Sequence, residues 1–168
     1  MSQSLFNNTT GSDNVAIGYQ AGKAQTTGGD LTAVGSNALA SYTGGGDVTA
    51  IGSQSLASAT SGVELTAGGY SALRFNTTGS YNTAVGEQTG RDTGTGQWNT
   101  SMGHAALRTM SGGNNNVAIG GSAMQNVTTA VASNIAMGYA ALFQTTGSNN
   151  VGIGESALYS NTSGAQNN

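Results

Sequence analysis

The chain has 168 residues, of which only 26 are Leu, Ile, Val or Phe, about 15 per cent and too few for a conventional core. Four Lys/Arg against seven Asp/Glu leave a net charge of -3, which fits neither a highly charged disordered chain nor the clustered cations of a nucleic-acid footprint. The absence of Cys and Pro excludes disulfide staples, Cys-based metal sites and collagen. No apolar run approaches the roughly 18 residues of a membrane span, and the opening Met1 to Phe6 has neither the cationic nor the apolar section of a signal peptide. The expectation is a chain without nucleic-acid partners or membrane insertion.

Taken in chain order, the glycine of an Ala-Ile-Gly motif recurs at Gly18, Gly35, Gly52, Gly69, Gly86, Gly103, Gly120, Gly138 and Gly154. The spacing is 17 residues, with one step of 18 before Gly138 and one of 16 before Gly154. We number each repeat from this glycine as position 0. Position -2 is always small: Ala16, Ala33, Ala50, Ala67, Ala84, Ser101, Ala118, Ala136 and Gly152. Position -1 is Ile17, Val34, Ile51, Gly68, Val85, Met102, Ile119, Met137 and Ile153, bulky and apolar in all but one repeat. Position +4 is Gly22, Leu39, Leu56, Leu73, Gly90, Leu107, Met124, Leu142 and Leu158. Turn clusters such as Thr26-Thr27-Gly28, Thr77-Thr78-Gly79 and Thr145-Thr146-Gly147 follow, where glycine supplies the positive φ of a tight corner.

A unit of 17 residues cannot bury its own apolar side chains and must stack on copies of itself. The period predicts an all-β fold, a parallel β-solenoid or β-roll of about ten 17-residue coils forming a single domain over residues 1–168. A partial coil over residues 1–13 starts at Met1, and the coil spacing should be about 4.8 Å. Two core ladders are expected. One is Ile17, Val34, Ile51, Val85, Met102, Ile119, Met137 and Ile153; the other is Leu39, Leu56, Leu73, Leu107, Leu142 and Leu158. Side chains alternate along a strand, so if Ile and Val point inward an Ala/Gly stripe lies on the opposite face. That stripe is either a fit to a narrow corner or a surface for close approach by another chain.

Asn14 to Gly22 (Asn-Val-Ala-Ile-Gly-Tyr-Gln-Ala-Gly), Asn82 to Gly86, Asn116 to Gly120 and Asn150 to Gly154 resemble the head repeats of YadA-type trimeric autotransporter adhesins. The longer form, which runs on to Thr-Thr-Gly-x-Asn, also resembles repeat arrays in bacteriophage tail-fibre proteins. The likeness spans essentially the whole chain. It implies a left-handed parallel β-roll, commonly in groups of three, that displays an attachment surface and performs no catalysis.

Several residues invite chemistry. Lys23, Arg74, Arg91 and Arg108 all fall at position +5, and the three arginines occupy successive coils, a row that either grips anionic glycans or phosphates or forms a solvated corner. Asp13, Asp30, Asp47 and Glu64 form an acidic column at position -5, suited to Ca²⁺ or simply to solvent. Tyr81 and Trp98 continue that column, positioned to stack on a sugar ring or to cap a seam between chains. His104 is the only histidine and has no nucleophile motif around it. Glu87 and Asp92 share a coil and are either the carboxylate pair of a glycan-cleaving spike or a pair of acids brought together by chance.

The expected function is therefore a non-enzymatic structural and adhesive fibre element, extracellular, on a cell surface or on a virion. It would associate with itself as a trimer or a head-to-tail filament and meet a cell-surface glycan or receptor. The alternatives are a stand-alone glycan- or ice-binding solenoid and, further off, a spike-type glycan hydrolase. No cofactor beyond Ca²⁺ is suggested. The length is ten repeats of 17 less two residues, which suits either a segment of a longer array or end-to-end stacking.

Overall fold

The computed structural model describes residues 3–162 and 164–167. Met1, expected to open the first partial coil, lies outside them. The described residues contain nine short strands and no helix: β1 (Val15–Ile17), β2 (Leu31–Val34), β3 (Val48–Ile51), β4 (Leu65–Gly68), β5 (Thr83–Val85), β6 (Thr100–Met102), β7 (Val117–Ile119), β8 (Ile135–Met137) and β9 (Val151–Ile153). All nine lie side by side, in sequence order, in one parallel sheet. The pairing follows the repeat: Ala16 sits beside Ala33, Ala50 beside Ala67, Ala118 beside Ala136. The chain is a β-solenoid. The 18-residue and 16-residue steps leave this phase intact, since Ala136 still pairs with Gly152.

The glycine column sets the tightest constraint. Gly18, Gly35 and Gly52 have φ between 132° and 134°. A Cβ on Gly52 would stand 2.4 Å from the Gly69 carbonyl oxygen, and one on Gly18 would stand 2.6 Å from that of Gly35. Each coil turns off its strand where the next coil passes directly above, and only glycine leaves room. Beyond it, positions +2 and +4 adopt left-handed conformations, as in Asn37 (φ 58°) and Leu39 (φ 50°). A leucine held this way costs roughly 1–2 kcal/mol. Full burial of its side chain returns about 1.5–3 kcal/mol, so burial wins.

The strands face the opposite way from the sequence expectation. Ala33, Ala50, Ala67, Ala84, Ala118 and Ala136 are buried, while Ile17 is 62 % exposed and Ile153 67 %. Ile51, Val85, Met102 and Met137 are exposed too, and Val34 and Ile119 are partly so; the ladder assigned to the core runs along the outside. The reason is the thinness of the coil. A Cβ on Gly90 would fall 2.9 Å from Leu73 Cδ2 and 3.6 Å from Ala84 Cβ, and one on Gly152 3.2 Å from Leu142 Cγ. The leucines of position +4 thus reach across the interior to the strand backbone, and only Ala, Ser or Gly fits opposite them. Leu39, Leu56, Leu73, Leu107 and Leu142 fill the inside, whereas Leu158 is partly exposed.

A second interior column stands at position -4. It opens on the half-buried Asn14, whose Oδ1 accepts the Leu31 N–H at 3.2 Å; Leu31, Val48 and Leu65 follow, then Asn82, Asn99, Asn116, Asn134 and Asn150, all eight buried. From Asn82 on, each asparagine Oδ1 accepts both the backbone N–H and the Nδ2–H of the asparagine one coil on. The N–H distances are 2.9 Å for Asn99 to Asn82, 3.0 Å for Asn116 to Asn99, 3.1 Å for Asn134 to Asn116 and 2.9 Å for Asn150 to Asn134. Nδ2 of Asn99 also donates to the Gly113 carbonyl at 2.8 Å, tying strand to corner.

Candidate functional site

The outward face of the sheet is its most extensive regular surface. Positions -3 and -1 of every strand point the same way, because residues two apart share a face. Position -1 contributes the Ile, Val and Met residues named above. Position -3 contributes Val15, then Thr32, Thr49, Thr66, Thr83 and Thr100, then Val117, Ile135 and Val151. None of these nine is buried. The tyrosines Tyr19, Tyr70 and Tyr139 stand exposed one residue beyond the glycine of their own strands. Sequence reasoning missed this face by ranking bulk above fit; the signal was the absence of any bulky residue at position -2.

The arginine row is partly engaged within the chain. Arg91 forks Asp92 through Nε to Oδ1 at 3.0 Å and through a terminal nitrogen to Oδ2 at 2.9 Å, the one ion pair among the described residues. The hydrogen bonds to Asp92 hold the Arg91 guanidinium above its ordinary pKa, against a smaller opposing effect of burial. Arg74 and Arg91 lie over the Phe75 ring at 4.9 and 5.9 Å from its centre. Arg108 Nε is buried with no partner in the chain, and Lys23 is half-buried in an earlier coil.

The other candidates are separate. Asp13, Asp30, Asp47 and Glu64 are all exposed, and Asp13, Asp30 and Glu64 have a positive φ of 51–59°. Among the described residues no group of three or more His, Asp or Glu side chains is placed to hold a metal ion together. Tyr81 and Trp98 stack on each other, ring centres 3.9 Å apart and 6° from parallel, with Trp98 exposed. Glu87 is exposed while the Asp92 carboxylate is occupied by Arg91, and His104 is exposed. No helix of the described residues is long and apolar enough to cross a membrane.

Comparison with known proteins adds no relative: no family model, no curated protein and no solved structure matches the chain.

Proposed function

We propose that the chain is a non-enzymatic structural and adhesive fibre element, working in an extracellular, cell-surface or virion assembly and associating with copies of itself. One observation carries this reading: an outward sheet face nine strands long, lined by Ile, Val, Met and Thr apart from Gly68 in β4, with Ile17, Ile51, Val85 and Ile153 exposed. Contiguous apolar exposure of this kind marks an association surface. The resemblance of Asn14–Gly22 and its copies to adhesin-head and tail-fibre repeats supports the same reading.

The test is the mass of the particle in solution, by light scattering, for the parent chain and for Ile51→Asp/Val85→Asp. An assembly that falls to a smaller species in the double variant, with its circular dichroism intact, supports the reading. A parent chain that is monomeric at every concentration removes self-association. That outcome would favour a stand-alone ice- or glycan-binding solenoid, for which the regular outward column of Thr32, Thr49, Thr66, Thr83 and Thr100 is the relevant feature.

A further inference from the structure

Three of the four cations of the chain, Arg74, Arg91 and Arg108, stand at position +5 of successive coils, and of its seven acids only Asp92 stands at position +5 or +6. A chain of net charge -3 therefore carries one concentrated cationic row. Its rungs are stacked directly, since the Phe75 N–H donates to the Arg91 carbonyl at 2.8 Å and the Asp92 N–H to that of Arg108 at 2.9 Å. The leucines of position +4, one residue earlier, reach across the interior to the strands. The row thus lies on the wall opposite the sheet, away from the Ile, Val and Met face.

The row is short of acceptors. Asp92 takes two nitrogens of Arg91 at 3.0 and 2.9 Å, which leaves the third without a partner in the chain, and this is the one ion pair among the described residues. Arg74 pairs with no carboxylate; it lies over the Phe75 ring, 4.9 Å from its centre, as Arg91 does at 5.9 Å. Arg108 Nε is buried and has no acceptor. Turning the Arg108 guanidinium towards an anion at the surface gains a hydrogen bond there and breaks none in the chain. Like charges on adjacent rungs, about 4.8 Å apart at their bases, also repel until an anion lies between them.

Guanidinium groups fork sulfate and carboxylate oxygens, so the ligand is an anion of that kind. A single small ion meets one or two rungs, whereas a linear polymer with an anionic group on each repeat, lying along the solenoid axis, meets all three. A nucleic acid fits less well, because single strands gain much of their affinity by stacking bases on aromatic rings. Phe75 is the only ring at position +5 or +6 of these three coils, and Arg74 and Arg91 already lie over it. We propose that Arg74, Arg91 and Arg108 together bind one linear polyanionic glycan through its sulfate or carboxylate groups. The proposal rests on the adhesive part of the reading above, names the ligand, and uses a wall that self-association leaves free.

Binding is read by fluorescence anisotropy of labelled oligosaccharides, heparin for sulfate and polygalacturonate for carboxylate, with an oligothymidylate of equal charge as the competing class. The parent chain is expected to bind one of the two glycans more tightly than the oligonucleotide, and the tighter one names the anion. Its affinity should fall on the order of tenfold between about 50 and 200 mM salt, as expected for three charge contacts. Arg74→Gln and Arg108→Gln should each weaken binding roughly threefold, whereas Lys23→Gln, the same change of charge outside the row, should leave it unchanged. Asp92→Asn removes the competitor for Arg91 and should tighten binding roughly threefold, a gain that misfolding does not imitate. The proposal is overturned if the Lys23 and arginine variants weaken binding alike, if Asp92→Asn binds no more tightly than the parent, or if the oligonucleotide binds at least as well as the better glycan. A parent chain that binds neither glycan at low salt overturns it too. None of these substitutions should change the particle mass, so self-association is judged separately and survives a failure of the glycan site.

Discussion

From β2 to β4 the buried residue four before the glycine is Leu31, Val48 or Leu65; from β5 onward it is asparagine. The same slot in the same fold is thus filled in two ways. In the first region the backbone N–H groups of Val48 and Leu65 reach the carbonyls of Asp30 and Asp47 in the coil before, at 3.3 and 3.2 Å. In the second, the N–H of Asn116 goes instead to a side chain, Asn99 Oδ1 at 3.0 Å. The apolar core divides accordingly. One cluster runs from Ala21 to Ala84 and another from Ala106 to Leu142, and between them the interior holds Thr89, Thr93, Asn99 and Ser101. A solenoid interior therefore does not need a continuous apolar stack. It needs each coil to satisfy the next, by area or by hydrogen bonds.

The comparison breaks most severely if one kind of rung is placed in the other region. Asn99→Leu gives the ladder the residue that suits β2. It removes the acceptor of the Asn116 N–H and the donor to the Gly113 carbonyl, both in the buried interior. Each buried orphan costs about 1–3 kcal/mol, so a total loss of about 3 kcal/mol is expected from urea denaturation midpoints. A loss below about 1 kcal/mol would mean that the two kinds of rung are interchangeable.

The left-handed leucines sharpen the comparison, because both regions contain the Leu and Gly forms or their equivalents. Leu107 has φ 53°, and Gly22 and Gly90 occupy the same position at 59° and 56°. Leu107→Ala should cost about 3 kcal/mol for the lost packing. Glycine is ordinarily worse than alanine inside regular structure. Here the order should reverse, with Leu107→Gly more stable than Leu107→Ala by about 1 kcal/mol, because alanine keeps the left-handed strain that glycine lacks. Equal midpoints for the two variants would show that this strain is absorbed elsewhere.

The 17-residue period, the parallel stacking and the inward Leu ladder were legible in the sequence because they depend on recurrence and on one residue type at one position. The direction of the strands was not. Ile17 and Ala16 are neighbours, and hydrophobicity alone puts Ile17 inside; only the distance from Leu142 to the strand backbone at Gly152 decides for the smaller residue. The asparagine ladder was hidden for a related reason. Asn82, Asn99 and Asn116 each precede a strand, where asparagine reads as a turn residue. Its value inside appears only when the next coil brings another asparagine to the same height. Of the candidate sites, Tyr81 and Trp98 were read as meeting a sugar ring or a seam between chains, and the sequence showed only the shared phase that lets them stack on each other; the fork between Arg91 and Asp92 was not legible at all, since adjacent residues need a corner between them to meet.

The smallest expected effect concerns the first region, where Tyr42 fills position +7 in place of Asn76 or Thr93 further on. Its side chain is fully buried and its hydroxyl donates to the Gly62 carbonyl at 2.8 Å. Tyr42→Phe should cost about 1 kcal/mol at neutral pH, the value of one such bond. Burial raises the Tyr42 pKa above its ordinary 10.0. Once the pH passes that ordinary value, the unfolded chain releases the phenolic proton while the folded one keeps it. The unfolded state then binds fewer protons, and stability falls as the pH rises, by up to about 1.4 kcal/mol per pH unit. Phenylalanine has no such proton. The parent chain should therefore lead the variant in denaturation midpoint at about pH 9, and that lead should shrink or reverse at about pH 11. A lead that stays constant across this interval would mean that the Tyr42 ring becomes accessible to solvent before it ionises, and that this coil opens more readily than those of the asparagine ladder.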